Sequence, residues 1–235
     1  MGAKRLPGKP LLAKTGRPLI LHVLARARAA KRISRAIVAT DDERIFRAVT
    51  EGGGEAVMTR ADHHCGTDRI AEAAERFPEE PLFVNLQGDE PEIEPSDIDL
   101  LVATLEAGGA DMATLAAPLG SPEEFLDPAV VKVVLDPSGR ALYFSRAPIP
   151  FDRDGSGAAP RLRHVGIYGF TAAALRRFAG LGPAPLELCE RLEQLRALAA
   201  GMSIRVALVR EAPPGIDTRE SYEAFVRRES TRRMV

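Results

Sequence analysis

Short apolar, β-rich runs alternate along the chain with segments in which apolar residues recur at helical spacing. The predicted strands lie at 35–40, 55–59, 82–86 and 111–118. The predicted helices lie at 18–31, 42–51, 67–77 and 95–107. Because strands separated by helices pair through crossover connections, this alternation predicts an α/β fold. We expect three layers, with a mostly parallel sheet covered by helices on both faces.

The pattern changes in the second half of the chain. Two runs, 130–136 and 141–144, flank Pro137–Gly139 and predict a β-hairpin. Further strands are predicted at 166–170 and 204–209, an amphipathic helix at 186–200 and a last helix at 218–233. Since no repeat, low-complexity tract or clear linker interrupts these elements, the pattern predicts a single domain over residues 1–235.

Composition excludes several classes of protein. Hydrophobic residues make up 45% and charged residues 28% of the 235 positions, which is typical of a globular chain. The formal net charge of −1 does not favour binding to nucleic acid or to an anionic membrane through bulk charge. No apolar run approaches the ~18 residues of a membrane helix, and the N-terminus lacks the apolar core of a secretory signal. Cys65 and Cys189 are too few for a disulfide scaffold, so we expect reduced thiols in a cytoplasmic protein.

The first candidate site is the segment Lys4–Pro10, which places three cations around Gly8 and precedes a helix. Arg5 offers a forked set of donors and Lys9 a mobile point charge, so the segment can bind phosphate. It is not a Walker loop, because the spacing of that motif is missing. Taken alone, the segment favours a solvated N-terminal tail.

Two aspartates in distant segments are candidate ligands of a metal ion. Asp89 follows the buried strand 82–86, at the kind of strand end where α/β folds bind ligands. Mg²⁺ prefers one or two protein carboxylates completed by phosphate and water. A polar turn before Pro91 explains Asp89 equally well. Asp217 precedes the last helix and is either its N-cap, which is the commoner role, or the second carboxylate.

Polar side chains in the second half can bind a hydroxylated ligand. His164 and Tyr168 are four residues apart in a predicted strand and therefore share a face. A buried, satisfied pair is an equally good explanation. Glu193 and Gln194 interrupt the amphipathic helix, where a solvated face is the default. Arg146 is either a carboxylate-binding cation or a surface residue.

Eight short segments, taken in their order and spacing, resemble the 3-deoxy-manno-octulosonate (Kdo) cytidylyltransferases, also called CMP-Kdo synthetases. The segments are Arg5–Leu11, Val38–Asp41, Gly66–Arg69, Asn85–Pro91, Tyr143–Ala147, Arg163–Gly169, Leu192–Arg196 and Gly215–Thr218. The resemblance covers essentially the whole chain. Sialic-acid cytidylyltransferases share the first segment, whereas the segments around His164 and Gln194 resemble the Kdo branch.

The resemblance implies a Rossmann-like fold of the nucleotide-diphospho-sugar-transferase type. It also implies a reaction in which the anomeric hydroxyl of Kdo attacks the α-phosphorus of CTP. The products are CMP-Kdo, used in lipopolysaccharide synthesis, and pyrophosphate. The implied cofactor is Mg²⁺, and the implied assembly is a homodimer formed through a hairpin insertion near 130–170.

The resemblance also assigns roles to individual residues. Those at the triphosphate and the metal, which carry catalysis, are Arg5, Lys9, Asp89 and Asp217. Further residues at the nucleotide are Cys65, Gly66 and Arg69. Those at the sugar are Gln87, Arg146, His164, Tyr168, Glu193 and Gln194.

The chain departs from the family pattern in two places. Cys65 stands where the family usually has Ser, and a thiol is the weaker hydrogen-bond partner. The apolar strand that precedes the Arg5 loop in the family is missing, so we expect the working protein to start about ten residues earlier. Two alternative functions therefore stay open. One is transfer to a related acid sugar, of the 8-amino-Kdo or sialic-acid type, and the other is a non-catalytic, truncated sugar-binding remnant.

Overall fold

Helices and strands alternate in the computed structural model, which describes residues 6–63 and 65–232. The helices among these residues are α1 (Leu19–Ala29), α2 (Glu43–Glu51), α3 (Gly66–Ala74), α4 (Pro95–Glu106), α5 (Pro122–Leu126), α6 (Ala172–Ala179), α7 (Pro185–Glu190), α8 (Gln194–Ala199) and α9 (Arg219–Arg232). The strands are β1 (Ile37–Thr40), β2 (Glu55–Met58), β3 (Leu82–Leu86), β4 (Met112–Pro118), β5 (Lys132–Leu135), β6 (Ala141–Ser145), β7 (Leu162–Thr171) and β8 (Ile204–Leu208). The α/β prediction is confirmed.

The chain divides into two compact units. The first comprises the chain up to Arg76, Leu86–Asp99 and the chain from Pro213 onwards. The second comprises Phe77–Asn85 and Leu100–Ala212. The prediction of a single domain over residues 1–235 is not tested by this division and stays a prediction.

In the first unit, β1 and β2 pair in parallel, from Ile37 opposite Glu55 to Thr40 opposite Met58. Asp42 caps α2, because its side chain accepts a hydrogen bond from the backbone N–H of Arg44. Two apolar clusters use opposite sides of α1. One consists of Ile20, Leu21, Leu24 and Val49, and the other of Leu6, Leu19, Ile216, Tyr222 and Phe225.

The second unit contains a mixed sheet. Its strand order is β6-β5-β7-β4-β8, and β3 pairs with β7. Strands β4 and β8 are parallel, whereas β7 runs antiparallel to both β4 and β5. The predicted hairpin is present as antiparallel β5 and β6, and Gly139 in its turn has a φ of +83°. The hairpin and the return of β7 make the sheet mixed where the strand–helix pattern predicted a mostly parallel one.

The amphipathic segment 186–200 is not one helix, as its spacing predicted, but the two helices α7 and α8. Arg191 ends α7 with a φ of +53°, and the N–H of Leu192 donates to the carbonyl of Glu187, as in a Schellman helix end. Leu192 is buried, whereas Leu188 on the same predicted stripe is exposed. Apolar spacing alone therefore conceals the bend. The predicted elements also omit α5 and α6.

Two predictions from composition can be compared with this structure. Within residues 6–63 and 65–232, no helix combines the length and apolar character that crossing a membrane requires. Cys65 is partly buried, Cys189 is exposed, and neither forms a disulfide.

Candidate functional site

Lys9 lies between two aspartates that are far from it in sequence. Its Nζ is 2.7 Å from Asp89 Oδ2 and 3.0 Å from Asp217 Oδ1. Burial tends to lower the pKa of Lys9, whose side chain is only 11% exposed, but the two carboxylates outweigh burial and raise that pKa above 10.5. Lys9 is therefore a charged ammonium at neutral pH, and three distant segments converge on it.

A backbone hydrogen bond joins the two aspartate segments. The N–H of Ile216 donates to the carbonyl of Asp89 at 2.9 Å, and the Ile216 side chain is fully buried. A Cβ at Gly215 would lie 3.0 Å from Glu90 Oε1, so the end of that side chain would have to shift, and it would lie 4.0 Å from the Asp89 carbonyl oxygen, an ordinary contact. The position of Asp217 thus follows from the burial of its neighbour Ile216 and from that backbone hydrogen bond.

The N-terminus of α9 shows that Asp217 is not a helix cap. Thr218 Oγ1 accepts the hydrogen bond from the Ser221 N–H at 3.2 Å, which is the N-cap contact. The backbone N–H of Asp217 donates to Ser221 Oγ at 3.1 Å. The commoner role is therefore filled by the next residue, and the Asp217 carboxylate is directed to Lys9 instead.

Asp89 lies in a turn, and its carboxylate nevertheless contacts Lys9. The Glu90 N–H donates to the Gln87 carbonyl at 3.2 Å, so the polar turn that the sequence offered as one explanation is present. The same turn presents the Asp89 carboxylate to Lys9. Gln87 belongs to this segment of the first unit and is half-buried. Its predicted role at the sugar stays a prediction.

The loop that carries Lys9 is anchored, so the solvated tail favoured by the segment alone is wrong for its described part. Leu6 is buried in a core cluster, and Gly8 adopts a φ of +67°. A 3₁₀ turn at Lys9–Leu11 follows, with Pro10 in its first turn. Arg5, the other predicted triphosphate ligand, lies outside the described residues.

Arg69 connects the carboxyl ends of β1 and β2. Its guanidinium is buried, with Nη1 donating to Thr59 Oγ1 at 2.5 Å and Nη2 lying 3.2 Å from Asp41 Oδ2. Parallel strands end at the same edge, which is where α/β folds place ligand-binding loops. Cys65 and Gly66 stand at the N-terminal end of α3, where the Cys65 side chain makes no capping hydrogen bond. The nucleotide contacts assigned to these residues stay predictions.

The donor set around Lys9 fits a hard divalent cation. Asp89 and Asp217 each direct one carboxylate oxygen at the same cationic position. Among the residues that the structure describes, no group of three or more His, Cys, Asp or Glu side chains is arranged to hold a metal. Mg²⁺ needs no such cage, because it commonly takes one or two carboxylates and completes its octahedron with phosphate and water.

Tyr168 and Gln194 meet in the interior of the second unit. The Tyr168 hydroxyl donates to Gln194 Oε1 at 2.9 Å, and Gln194 is 1% exposed. A solvated helix face is therefore the wrong explanation for Gln194, which opens α8, while the preceding Glu193 is half-buried. Gln194 Nε2 is buried without a hydrogen-bond partner in the described part of the chain, which costs about 1–3 kcal/mol. An acceptor on a ligand would remove that cost.

His164 lies next to Tyr168, with ring centroids 5.5 Å apart, as expected for one face of a strand. Its Nε2 is 2.8 Å from Thr114 Oγ1, which is itself 2.7 Å from the Ile167 carbonyl. The single proton of the Thr114 hydroxyl is used on that carbonyl, so the hydroxyl accepts from Nε2–H of His164. This assignment makes His164 Nδ1 a hydrogen-bond acceptor.

His164 is expected to stay neutral around neutral pH. Burial lowers the pKa of His164 from 6.5 to about 3. Because the folded pKa lies below the unfolded one, the neutral ring contributes stability that is complete above pH 6.5 and is lost as the pH falls towards 3. NMR of the imidazole should show no protonation between about pH 8 and 5, and His164→Gln should flatten the acid side of the stability profile. A titration midpoint near 6.5 in the folded protein would contradict this assignment.

Arg146 is neither a free cation nor a simple surface residue. Its Nε donates to the Glu190 carbonyl at 2.7 Å and its Nη1 to the Pro128 carbonyl at 2.9 Å. The Glu190 carboxylate accepts from Ser145 Oγ at 2.6 Å and from the Arg146 N–H at 3.0 Å. These contacts hold the half-buried guanidinium at the end of α7. Its predicted contact with the sugar stays a prediction.

Two buried residues near these groups escaped the sequence analysis. Thr114 orients His164, and its signal is a lone hydroxyl in the apolar strand β4. Lys132 is fully buried and donates to three backbone carbonyls, those of Asp127, Val130 and Arg146, at 2.6–2.9 Å. Burial lowers its pKa. A single lysine within an apolar run is the signal that could have identified it.

Comparisons with known proteins show which family the chain is similar to. Residues 1–204 match the family model described as Cytidylyltransferase. The chain is 51% identical over 228 residues to 3-deoxy-manno-octulosonate cytidylyltransferase from Syntrophobacter fumaroxidans (strain DSM 10017 / MPOB), covering 95% of this chain and 91% of that protein. It is 49% identical over 244 residues to the protein of the same name from Halorhodospira halophila (strain DSM 244 / SL1), covering 98% and 95%.

Two solved structures are similar to the chain. One, described as CMP:2-keto-3-deoxy-manno-octonic acid synthetase complexed with CTP, matches with a TM-score of 0.93 and 41% identity, covering 98% of this chain and 95% of that one. The other is a cytidylyltransferase from Leptospira borgpetersenii serovar Hardjo-bovis (strain JB197), with a TM-score of 0.62 and 18% identity, covering 96% and 81%. The second likeness concerns the fold alone.

Proposed function

The chain belongs to the cytidylyltransferase family, and we propose that it transfers CMP from CTP to 3-deoxy-manno-octulosonate, releasing pyrophosphate. The observation that carries the proposal is the convergence of Lys9, Asp89 and Asp217 from three distant segments. The choice of sugar is supported by two relatives of about half-identical sequence that carry the Kdo enzyme's name. The choice of nucleotide is supported by a similar structure that is complexed with CTP.

The chain's contribution to the reaction is positioning and charge neutralisation. In nucleotidyl transfer the protein forms no obligatory covalent bond, so holding the triphosphate in line with the attacking oxygen lowers the barrier. Lys9 supplies a positive charge for phosphate oxygens, and Arg5 is the second cation that we assign to them. The anomeric hydroxyl of the sugar attacks the α-phosphorus, the bond to the bridging oxygen breaks, and pyrophosphate leaves.

We assign Mg²⁺ to Asp89 and Asp217. The two carboxylate oxygens that now contact Lys9 are the hard donors that this ion prefers. When bound, such an ion neutralises phosphate charge and lowers the pKa of a coordinated hydroxyl. Asp89 and Asp217 hold the cation, while Lys9 remains available to the triphosphate.

The second unit supplies hydrogen-bonding groups suited to an acid sugar. Neutral His164 accepts at Nδ1, and buried Gln194 donates at Nε2. Tyr168 holds the Gln194 amide in its orientation. Acceptors and donors side by side match the hydroxyls of a polyol, and Arg146 provides positive charge for a carboxylate. Glu193 is the remaining residue of this unit that we assign to the sugar.

The experiment that tests this function measures pyrophosphate release from CTP and Mg²⁺ with three acid sugars in parallel. We expect kcat/KM with Kdo to exceed that with 8-amino-Kdo or N-acetylneuraminate by at least about tenfold, since buried polar groups reject a mismatched substrate. Preference for another acid sugar would overturn the substrate assignment. A folded protein that binds Kdo but turns over none of the three would support the non-catalytic alternative.

The homodimer and the cytoplasmic location that the resemblance implies stay predictions. Support for a dimer through the hairpin region comes from Leu142 on β6, the last strand of the sheet path, and from Phe151, which is 86% exposed. Exposed large apolar side chains of this kind are typical of protein interfaces. Sedimentation velocity of the full chain measures the assembly directly, and a monomer at micromolar concentration would contradict it.

A further inference from the structure

Lys9 occupies the position that a divalent cation would take between the two aspartates. We propose that Lys9 is an internal counter-cation. It prevents metal ions from binding to Asp89 and Asp217 until a nucleoside triphosphate attracts its ammonium group away. The inference rests on the proposed function, because it concerns the same metal and the same nucleotide. It adds an order to their binding. The aspartate pair binds a metal ion weakly in the absence of nucleotide, and nucleotide binding raises the affinity for the metal ion.

The contacts of Lys9 make the two cations mutually exclusive. One ammonium lies within 3.0 Å of an oxygen from each aspartate, so both carboxylates direct a donor at it. A metal ion bound to the same two oxygens would stand next to that ammonium. Two positive charges that compete for the same pair of carboxylate oxygens repel each other strongly in a partly buried site. Lys9 must therefore leave before the metal ion can use both aspartates.

The local structure lets the side chain of Lys9 leave while its backbone stays. Buried Leu6 and the 3₁₀ turn at Lys9–Leu11 anchor the main chain. The lysine carries its charge on a flexible four-carbon stem, which can redirect the ammonium without moving that anchor. A triphosphate carries more negative charge than two carboxylates, so it can compete for the ammonium once it is bound.

Thermodynamic linkage then couples the two ligands. If the nucleotide removes Lys9 from the aspartates, it raises the affinity for metal, and the metal must raise the affinity for nucleotide by the same factor. In the nucleotide-free protein, the Lys9 ion pairs take the place of the metal and hold the two aspartate loops together.

The test is a titration of the nucleotide-free, full-length chain with Mn²⁺, followed by electron paramagnetic resonance of the free ion. We expect Lys9→Met to bind Mn²⁺ at least about tenfold more tightly than the wild type, a difference of about 1.4 kcal/mol. Lys14→Met is the matched control, because it removes the same charge from the same unit, where Lys14 Nζ makes only an exposed pair with Glu223 at 3.2 Å. Lys14→Met should bind Mn²⁺ as the wild type does.

A second arm separates this inference from the metal assignment itself. Water-proton relaxation with CTP present distinguishes Mn²⁺ on the protein from the Mn²⁺–CTP complex in solution. Wild type that binds Mn²⁺ with CTP, while Lys9→Met gains no affinity without CTP, would overturn the inference alone. Wild type that holds no Mn²⁺ even with CTP would overturn the metal assignment and the inference together. Lys9→Gln provides the same comparison if the Met variant unfolds, and adding Asp89→Asn to either should abolish the gained affinity.

Discussion

Asp89→Asn is expected to lower kcat for CMP transfer by about a hundred- to a thousandfold, the size of effect seen when one preorganised electrostatic contact is removed. The amide keeps the shape of the side chain but removes its negative charge. It also presents an N–H group to Lys9, where the carboxylate now accepts a hydrogen bond at 2.7 Å. The loss should therefore appear in turnover and in metal affinity, while the fold persists.

The measurement for Asp89→Asn is pyrophosphate release with CTP, Kdo and saturating Mg²⁺, together with a thermal unfolding curve. Asp154→Asn is the matched control, because it makes the same substitution at an exposed carboxylate that pairs with Arg153 at 3.9 Å. The control should retain wild-type turnover. Full activity in Asp89→Asn would remove Asp89 from the metal site.

Glu187→Leu is expected to destabilise the protein by about 3–5 kcal/mol, because it removes the carboxylate that pairs with the buried guanidinium of Arg196. Arg196 Nη2 is 2.6 Å from Glu187 Oε1, and its Nε is 2.9 Å from Oε2. The side chains are only 4% and 10% exposed, respectively. Glu187 Oε2 also accepts from the Ala184 N–H at the start of α7, so three hydrogen bonds are lost.

Urea unfolding checks this prediction with two further variants. The double variant Glu187→Leu/Arg196→Leu should recover most of the loss, since replacing a buried ion pair by apolar groups is often neutral. Arg47→Ala is the surface control, because it breaks the exposed pair with Glu43 and should cost about 0.5 kcal/mol or less. A loss below about 1 kcal/mol in Glu187→Leu would mean that the buried pair is not needed for stability.

The same pair has a consequence for the sugar site. It connects α7 to α8 across the bend at Arg191, and α8 opens with Gln194. Loosening it should therefore raise KM for the sugar more than it lowers kcat. That combination is the sign of lost binding that is equal in the ground and transition states.

The elements of the first unit could be predicted closely because their signals are local. Apolar spacing identifies α1, the β-rich runs identify β1 and β2, and Asp42 caps α2 as its residue type suggests. The bend between α7 and α8 could not be predicted in this way. Leu188, Leu192 and Leu195 keep helical spacing through it, and only the left-handed conformation of Arg191 separates the two helices.

For the candidate site, the sequence predicted which residue types are present. It could not predict which of two possible structural roles each residue takes. Asp217 was more simply a cap, yet Thr218 caps α9 and the Asp217 carboxylate turns to Lys9. Gln194 was more simply solvated, yet it is buried against Tyr168. In both cases a contact with a residue far along the chain selected the role that local sequence favoured less.

The sequence by itself determined the α/β class, most element positions, the family resemblance and the residue types that can bind phosphate, metal and sugar. These follow from spacing, capping and composition, which act over a few residues. Only the tertiary structure decided that the side chains of Asp89 and Asp217 both contact Lys9, and that the sheet is mixed. The physical reason is that a contact between residues 80 or more apart depends on buried neighbours such as Ile216 and on backbone hydrogen bonds such as that from Ile216 to Asp89, which no local pattern encodes.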